Sequence, residues 1–290
     1  MKIIIHLGYP KAWSKFLQKF LFENCNLYYL NSQKKDFYTD YLELRDFMKF
    51  SSDQEFNSKI EFYRAKINKY FKDEEINLYS DEFFLCPSIY GFKMIFRLIR
   101  FFSYNNNDLD FVIFTRRQNE LINSYYCQNL DEFKDLNPLY SNYLYLINFF
   151  TGREASKIEK NFFKIWSFKK IEKLIFKLNK KKPYIIECEN LSNKNKDTLI
   201  LLSKVFKISP NKIFSIFNEK KLHSSDKDQN KLAVKRFTRV VIKYPFTRVF
   251  LKYFSMEFKL KIKNILEKLI NKNFITTSKE FNEKIDTYYK

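Results

Sequence analysis

A glycine, a lysine and a serine lie between a short apolar run and a segment of helical periodicity. Gly8 follows the run Ile3–Ile5, and Lys11 and Ser14 come three and six residues later. The β-branched run predicts a strand, and the apolar spacing after it predicts a helix. The N-terminus of a helix attracts anions through unpaired N–H groups and its dipole, and a lysine is unfavourable there unless an anion is bound. The segment therefore predicts a phosphate-binding loop, without the G-x-x-x-x-G-K-[ST] spacing of the Walker type.

A second pair of residues is suited to bind a phosphate. Arg116 follows the continuous apolar run Asp110–Thr115, and Ser124 lies eight residues further on in a predicted helix. An arginine at the carboxyl end of a buried strand offers a planar, permanently charged fork for a phosphate. Ser124 adds a hydroxyl donor. Together with the first loop, this pair predicts a ligand that carries two separate phosphate groups.

Apolar runs that alternate with helical segments must position these residues. Strands are predicted at 2–7, 26–30, 76–80, 110–115 and 183–189. Helices are predicted at 11–24, within 34–75, at 88–103, within 139–180 and at 194–207. This alternation is typical of a parallel, doubly wound α/β sheet, which binds ligands at the carboxyl ends of its strands.

At these motifs the chain resembles the bacterial sulfotransferase family. The segment Gly8–Gln18 is similar to the 5′-phosphosulfate loop of that family, whose pattern is G-x-P-K-[ST]-[GA]-[ST]-[ST]-x-L-Q. Arg116 with Ser124 is similar to its 3′-phosphate site, in which an arginine precedes a serine by eight. Segments 79–82 and 187–191 resemble its strand ends, so the likeness extends in the right order over about residues 2–210.

The resemblance implies a P-loop-like, doubly wound α/β domain with a central parallel sheet and a helical C-terminal extension. We assign the nucleotide-binding domain to residues 1–217 and the basic, helical extension to residues 218–290. It also implies a donor, 3′-phosphoadenosine 5′-phosphosulfate (PAPS), and its product, adenosine 3′,5′-bisphosphate (PAP). The residues implied to bind this nucleotide are Gly8, Lys11, Ala12, Trp13, Ser14, Lys15, Phe16, Arg116 and Ser124.

Sulfuryl transfer depends mostly on positioning and charge stabilisation, and Lys11 is implied to neutralise charge on the leaving phosphate. The acceptor hydroxyl needs a general base within hydrogen-bond reach. Glu82, at the end of its strand, is our first choice, and His6, two residues before the glycine, is the second. The alternative for Glu82 is a helix N-terminal carboxylate, and that for His6 is a core histidine. Glu189 is predicted to be structural.

Three residues depart from the family's loop pattern. Ala12 and Trp13 replace small or hydroxylated residues, and Lys15 replaces a hydroxyl. These changes leave open a relative that has lost catalysis and serves as a scaffold. A nucleotide-dependent kinase is a weaker alternative, because the Walker lysine–hydroxyl pair is missing.

His223 lies where a late loop would close over the nucleotide.

The net charge of +20 favours anionic partners, and a basic protein that binds nucleic acid or a membrane surface is a further alternative. We discount it because 43 of the 53 basic residues are Lys, while Gly is scarce, as an AT-rich coding sequence produces. No nucleic-acid partner is expected. The implied acceptor is a carbohydrate or glycolipid, and the basic C-terminal helices offer a peripheral membrane contact.

Neither a signal peptide nor an apolar stretch of about 18 residues is visible in the sequence. We therefore expect the protein in the cytoplasm, including the inner face of the membrane. The four cysteines are singly spaced, so free thiols are predicted rather than disulfides or a zinc site. Neither the composition nor the implied mechanism points to a metal.

Overall fold

The chain forms an α/β structure whose central sheet has five parallel strands flanked by helices. A computed structural model describes residues 1–9, 12–30, 35–86, 90–104, 107–118, 120–122, 125, 129, 160, 162 and 164–219. The predicted fold class is confirmed at the level of a parallel α/β sheet, which is consistent with a P-loop-like fold.

The five strands are ordered β2-β3-β1-β4-β5 across the sheet. Their bounds are β1 Lys2–Gly8, β2 Tyr28–Leu30, β3 Ile76–Asp81, β4 Asp108–Thr115 and β5 Tyr184–Glu187. The central strands β1, β3 and β4 read as near-continuous apolar runs because parallel strands are covered on both faces. Ile3, Ile4 and Ile5 are accordingly all buried.

The direction of travel across the sheet reverses at β1. After β1 the chain passes to β2, on the far side of β3, and returns to β3; it then crosses β1 to reach β4 and continues in the same direction to β5. With right-handed crossovers, this reversal places the connecting helices on opposite faces and makes the carboxyl end of β1 a topological switch point. Ligands of open α/β sheets bind at such points.

Eight α-helices are described, and most agree with the predicted segments. They are α1 Ser14–Phe16, α2 Lys35–Phe50, α3 Asp53–Asn68, α4 Gly91–Phe102, α5 Phe168–Asn179, α6 Cys188–Ser192, α7 Lys196–Phe206 and α8 Pro210–Glu219. Helix α8 was not predicted, although proline is favoured at a first helical position.

The prediction of one α-helix over 11–24 needs correction. Helix α1 begins only at Ser14, and it continues as a π-helix over Leu17–Leu21 and a 3₁₀ helix over Phe22–Asn24. The helix starts late because the backbone of Trp13 is left-handed, so Trp13 cannot belong to a right-handed helix and the helix begins after it. Residues 10 and 11 lie outside the described part of the chain.

A buried arginine fixes α4 to the turn between α2 and α3. Arg97 donates to Met48 O and Ser51 Oγ, each at 2.9 Å, and to Asp53 Oδ1 at 2.7 Å. The five N–H donors of one guanidinium can satisfy several acceptors at once, so this residue holds three elements in one arrangement. Ser52 caps α3 by accepting a hydrogen bond from Glu55 N at 3.0 Å.

The chain divides into two compact units. One comprises Met1–Arg117 and Ser156–Leu222, and the other comprises Gln118–Ala155 and His223–Lys290. The division at 217/218 that the sequence suggested stays a prediction. Within the described residues, we find no helix that is both long and apolar enough to cross a membrane.

Candidate functional site

The loop after β1 is held to the core through Tyr9. Its side chain is fully buried, and its hydroxyl donates to Ile165 O at 2.8 Å while its ring lies 5.0 Å from that of Phe168. The Tyr9 carbonyl then accepts from Ala12 N at 3.0 Å, which fixes the positions of Tyr9 and Ala12 relative to each other. The predicted lysine itself lies outside the described residues.

Trp13 occupies the position where the loop pattern has glycine or alanine. Its φ is 60°, a left-handed conformation that costs an L-residue with a side chain roughly 1–2 kcal/mol. The half-buried ring lies 6.3 Å from that of Phe16 and 6.4 Å from that of Phe217. The large side chain therefore packs beside the loop against these two aromatic rings. The strained backbone lies at a strand-to-helix turn, where many ligand sites retain such strain.

The helix that begins at Ser14 has no cap. The first intrahelical hydrogen bond is donated by Leu17 N to Trp13 O at 2.9 Å, so the N–H groups of Ser14, Lys15 and Phe16 precede the ladder. The Trp13 side chain makes no capping hydrogen bond, and the first turn holds no acidic residue. This end of the helix therefore presents unneutralised partial positive charge.

Gly8 is required by close packing at the end of β1. A Cβ atom at this position would clash with Ser14 Oγ and lie 3.1 Å from His6 Cε1. Ser14 is itself buried, and its hydroxyl donates to Tyr9 O at 3.4 Å. The glycine lets the start of the helix approach the strand, which brings the uncapped N–H groups to the switch point.

His6 lies beneath the loop and is fully buried. Its Nδ1 is 2.7 Å from Ser80 Oγ, and Gln18 Nε2 donates to the same hydroxyl at 3.1 Å. Burial lowers the pKa of His6 to about 3, so the imidazole is neutral. Its Nε2 has no hydrogen-bond partner within the described residues. Of the two roles considered for His6, the core histidine agrees better with this setting.

Asp81, which sequence reasoning did not select, is the buried carboxyl group at the carboxyl end of β3. It accepts from Phe83 N at 2.7 Å and from the Tyr79 hydroxyl at 3.3 Å, and Tyr41 also donates to it. Burial raises its pKa to about 6, against these hydrogen bonds. The alternation Tyr79-x-Asp81 was an available signal, because residues i and i+2 of a strand share a face.

Glu82 follows Asp81 directly and is half-buried. It directly precedes the 3₁₀ turn Phe83–Leu85, and its side chain does not cap that turn by a hydrogen bond. Leu7 of β1 pairs with Asp81 in the sheet register, so one residue further on the two strands reach Gly8 and Glu82. Neighbouring strands are about 4.8 Å apart, which brings Glu82 to the same edge as the loop.

Arg116 follows β4 on the other side of β1. Gly8 pairs with Phe114 in register, so the half-buried Arg116 also extends from the carboxyl edge of the sheet. The next residue, Arg117, donates its backbone N–H to Glu189 Oε1 at 3.3 Å, which agrees with the structural role predicted for Glu189. Ser124 lies outside the described residues, as does His223.

The structure thus brings the described part of the β1 loop, Glu82 and Arg116 to the carboxyl ends of three adjacent strands. Within the described ranges, no three His, Cys, Asp or Glu side chains are grouped so that they would hold a metal ion. The arrangement can bind an anion at the uncapped helix start and a second anion at Arg116. No protein-family model matches the chain, and no curated protein matches it either.

Proposed function

We propose that the protein is a sulfotransferase with a P-loop-like nucleotide-binding domain. It moves a sulfuryl group from PAPS to a hydroxyl or amine of a carbohydrate or glycolipid. The observation that carries the proposal is the uncapped helix start at Ser14, which lies at the switch point of the sheet. Glu82 and Arg116 follow the two strands that flank β1.

The helix start supports binding of the 5′-phosphosulfate. Its first three N–H groups lack intrahelical partners and there is no acidic residue nearby in the chain to neutralise them. An anion satisfies both the hydrogen-bond donors and the dipole. The left-handed backbone of Trp13 is strained, and this strained turn directs the N–H groups toward the site. The resemblance adds Lys11 as a charged donor beside them.

Arg116 supports recognition of the 3′-phosphate. It lies on the opposite side of β1 from Glu82, so a nucleotide that spans the edge can meet both the helix start and the guanidinium. A guanidinium binds two phosphate oxygens in a bidentate manner and stays charged at all relevant pH values. Ser124 is the hydroxyl that the resemblance assigns to the same phosphate.

The chemical step is an in-line displacement at sulfur. The acceptor O–H gives its proton to the general base, the new O–S bond forms, and the S–O bond to the 5′-phosphate breaks to release adenosine 3′,5′-bisphosphate. Glu82 is the better candidate base, because burial lowers the pKa of His6 to about 3, which makes its imidazole a weak base, and Nδ1 is already bonded to Ser80. Lys11 and the helix N–H groups stabilise the charge that develops on the leaving phosphate.

Calorimetric titration with adenosine 3′,5′-bisphosphate tests this proposal, with 5′-AMP and ATP as comparison ligands. We expect the bisphosphate to bind at least tenfold more tightly than either, about 1.4 kcal/mol. Lys11→Ala and Arg116→Ala should each weaken binding by about tenfold or more. Lys19→Ala and Arg117→Ala, which remove the same charges at exposed neighbouring positions, are the matched controls.

Three outcomes would contradict the proposal. Folded protein that binds no nucleotide favours the scaffold alternative, and preference for ATP favours the kinase. Equal losses in the site variants and in their controls would show that only the net charge of the chain attracts the ligand.

A further inference from the structure

Helix α2 presents two cations to the ring that follows Glu82. Arg45 Cζ lies 4.6 Å from the centroid of the Phe83 ring, and Lys49 Nζ lies 5.5 Å from it. The two residues are four apart on α2, so they lie on one face of the helix. Both side chains are half-buried at the carboxyl end of β3.

These two positive charges are poorly neutralised within the described residues. The one described carboxylate that pairs with Arg45 is the exposed Asp46, whose Oδ1 lies 3.5 Å from Nε and accepts a long hydrogen bond from Nη2 at 3.5 Å, and the buried Nε makes no hydrogen bond. Lys49 has no ion pair with any described carboxylate within 4.0 Å. Elsewhere in the same region, Lys66 pairs with Asp40 at 3.0 Å. A cation–π contact orients a cation without cancelling its charge, so both side chains keep donors for a ligand.

We propose that Arg45 and Lys49 form an acceptor subsite for the carboxylate of an acidic saccharide, which rests on the sulfotransferase function proposed above. A carboxylate matches the planar fork of Arg45, and Lys49 supplies a second donor. Phe83, which orients both cations, follows Glu82 directly in the chain. A sugar held there by its carboxylate brings a ring hydroxyl toward the candidate base.

The position of the subsite argues against a second nucleotide phosphate. Arg45 and Lys49 lie beside the end of β3, whereas Arg116 follows β4, two strand positions away across β1. That separation is about 10 Å. In the proposed function the nucleotide phosphates lie on the β1 and β4 side of the edge, so the two cations on the β3 side are assigned to the acceptor.

An exposed aromatic ring favours a saccharide over a small inorganic anion. Phe50 is 63% exposed and lies 5.0 Å from Lys49 Nζ, at the end of α2. Sugar rings combine apolar C–H faces with polar edges, and an aromatic ring beside a cation offers a partner for each. Inorganic phosphate or sulfate would use the cations alone.

The test is binding of tetragalacturonate, an oligosaccharide with one carboxylate per ring, to the full chain in 150 mM salt. Maltotetraose is the neutral comparison. We expect the acidic probe to bind at least tenfold more tightly and Arg45→Gln/Lys49→Gln to lose about tenfold or more of that affinity. The matched control is Lys173→Gln/Lys177→Gln, which removes an exposed pair with the same spacing on α5.

Two results would overturn the subsite. Equal losses in the double variant and its control would mean that net charge alone attracts the probe. Unchanged binding in the double variant would place the probe elsewhere. Titration of the same proteins with adenosine 3′,5′-bisphosphate separates the two proposals. A double variant that keeps nucleotide binding but loses the probe supports both, whereas probe binding without nucleotide binding supports the saccharide subsite and contradicts the sulfotransferase.

Discussion

His6 and Ser80 join the adjacent strands β1 and β3 by a side-chain hydrogen bond of 2.7 Å beneath the candidate loop. Gln18, on the helical segment after the loop, donates to the same hydroxyl at 3.1 Å. A serine hydroxyl has one proton and two acceptor positions, so it can accept from Gln18 and donate to His6 Nδ1. From this pairing we predict the His6 tautomer whose proton is on Nε2.

We predict that His6 stays neutral throughout the physiological range, because burial lowers its pKa to about 3. The chain has only two histidines, so ¹⁵N-histidine NMR gives two sets of signals, and His223→Gln assigns them. The His6 signals should show the Nε2–H tautomer and no titration between pH 5 and 8. A midpoint near 6.5 would contradict the buried setting.

The same residue should make stability depend on pH. Between pH 6.5 and 3 the unfolded chain binds a proton at His6 that the folded chain does not, so this contribution to stability is present above pH 6.5 and is lost as the pH falls. His6→Gln should flatten that part of a urea-unfolding series relative to the parent. His223→Gln is the control, and an identical pH dependence in parent and His6→Gln would refute the assignment.

A strand that is buried on both faces can be predicted from the sequence, because nearly all of its residues are apolar. This signal predicted β1 and β4. Because the two strands pair in parallel register, the loop after β1 and Arg116 after β4 lie at the same carboxyl edge of the sheet. The left-handed Trp13 could not be predicted, since a residue of that size rarely adopts this conformation. The Asp81 and Phe83 sites were missed because α2, some 40 residues away in sequence, supplies their partners Tyr41 and Arg45.

Asp81→Asn should stabilise the protein at neutral pH. Burial raises the pKa of Asp81 to about 6, so between pH 3.8 and 6 the folded chain retains a proton that the unfolded chain loses, and stability falls as the pH rises. An amide keeps an acceptor for Phe83 N and can donate to the tyrosine hydroxyls. We expect a gain on the order of 2 kcal/mol in urea unfolding at pH 7.5, which disappears near pH 4. A constant effect at both pH values would exclude the ionisation as its cause.

Glu82→Gln should separate nucleotide binding from turnover. The change keeps the size of the side chain but removes its ability to take a proton, so affinity for adenosine 3′,5′-bisphosphate should stay within about twofold while turnover falls by about 10²-fold or more. Release of the bisphosphate from PAPS in the presence of tetragalacturonate measures turnover by chromatography. Glu75→Gln, an exposed carboxylate before β3, is the matched control. Loss of binding in Glu82→Gln would instead give this residue a role in shaping the site.

Trp13 tests whether the left-handed turn or the aromatic ring matters for nucleotide binding. Glycine adopts a φ of 60° without strain, whereas valine is disfavoured there by its branched Cβ. Both substitutions remove the ring that lies near Phe16 and Phe217, so they differ mainly in the backbone they permit. We expect Trp13→Gly to keep its affinity for adenosine 3′,5′-bisphosphate and Trp13→Val to lose about tenfold, because its helix start is no longer aimed at the anion. Equal losses would assign the effect to the ring, and equal retention would remove the turn from the binding site.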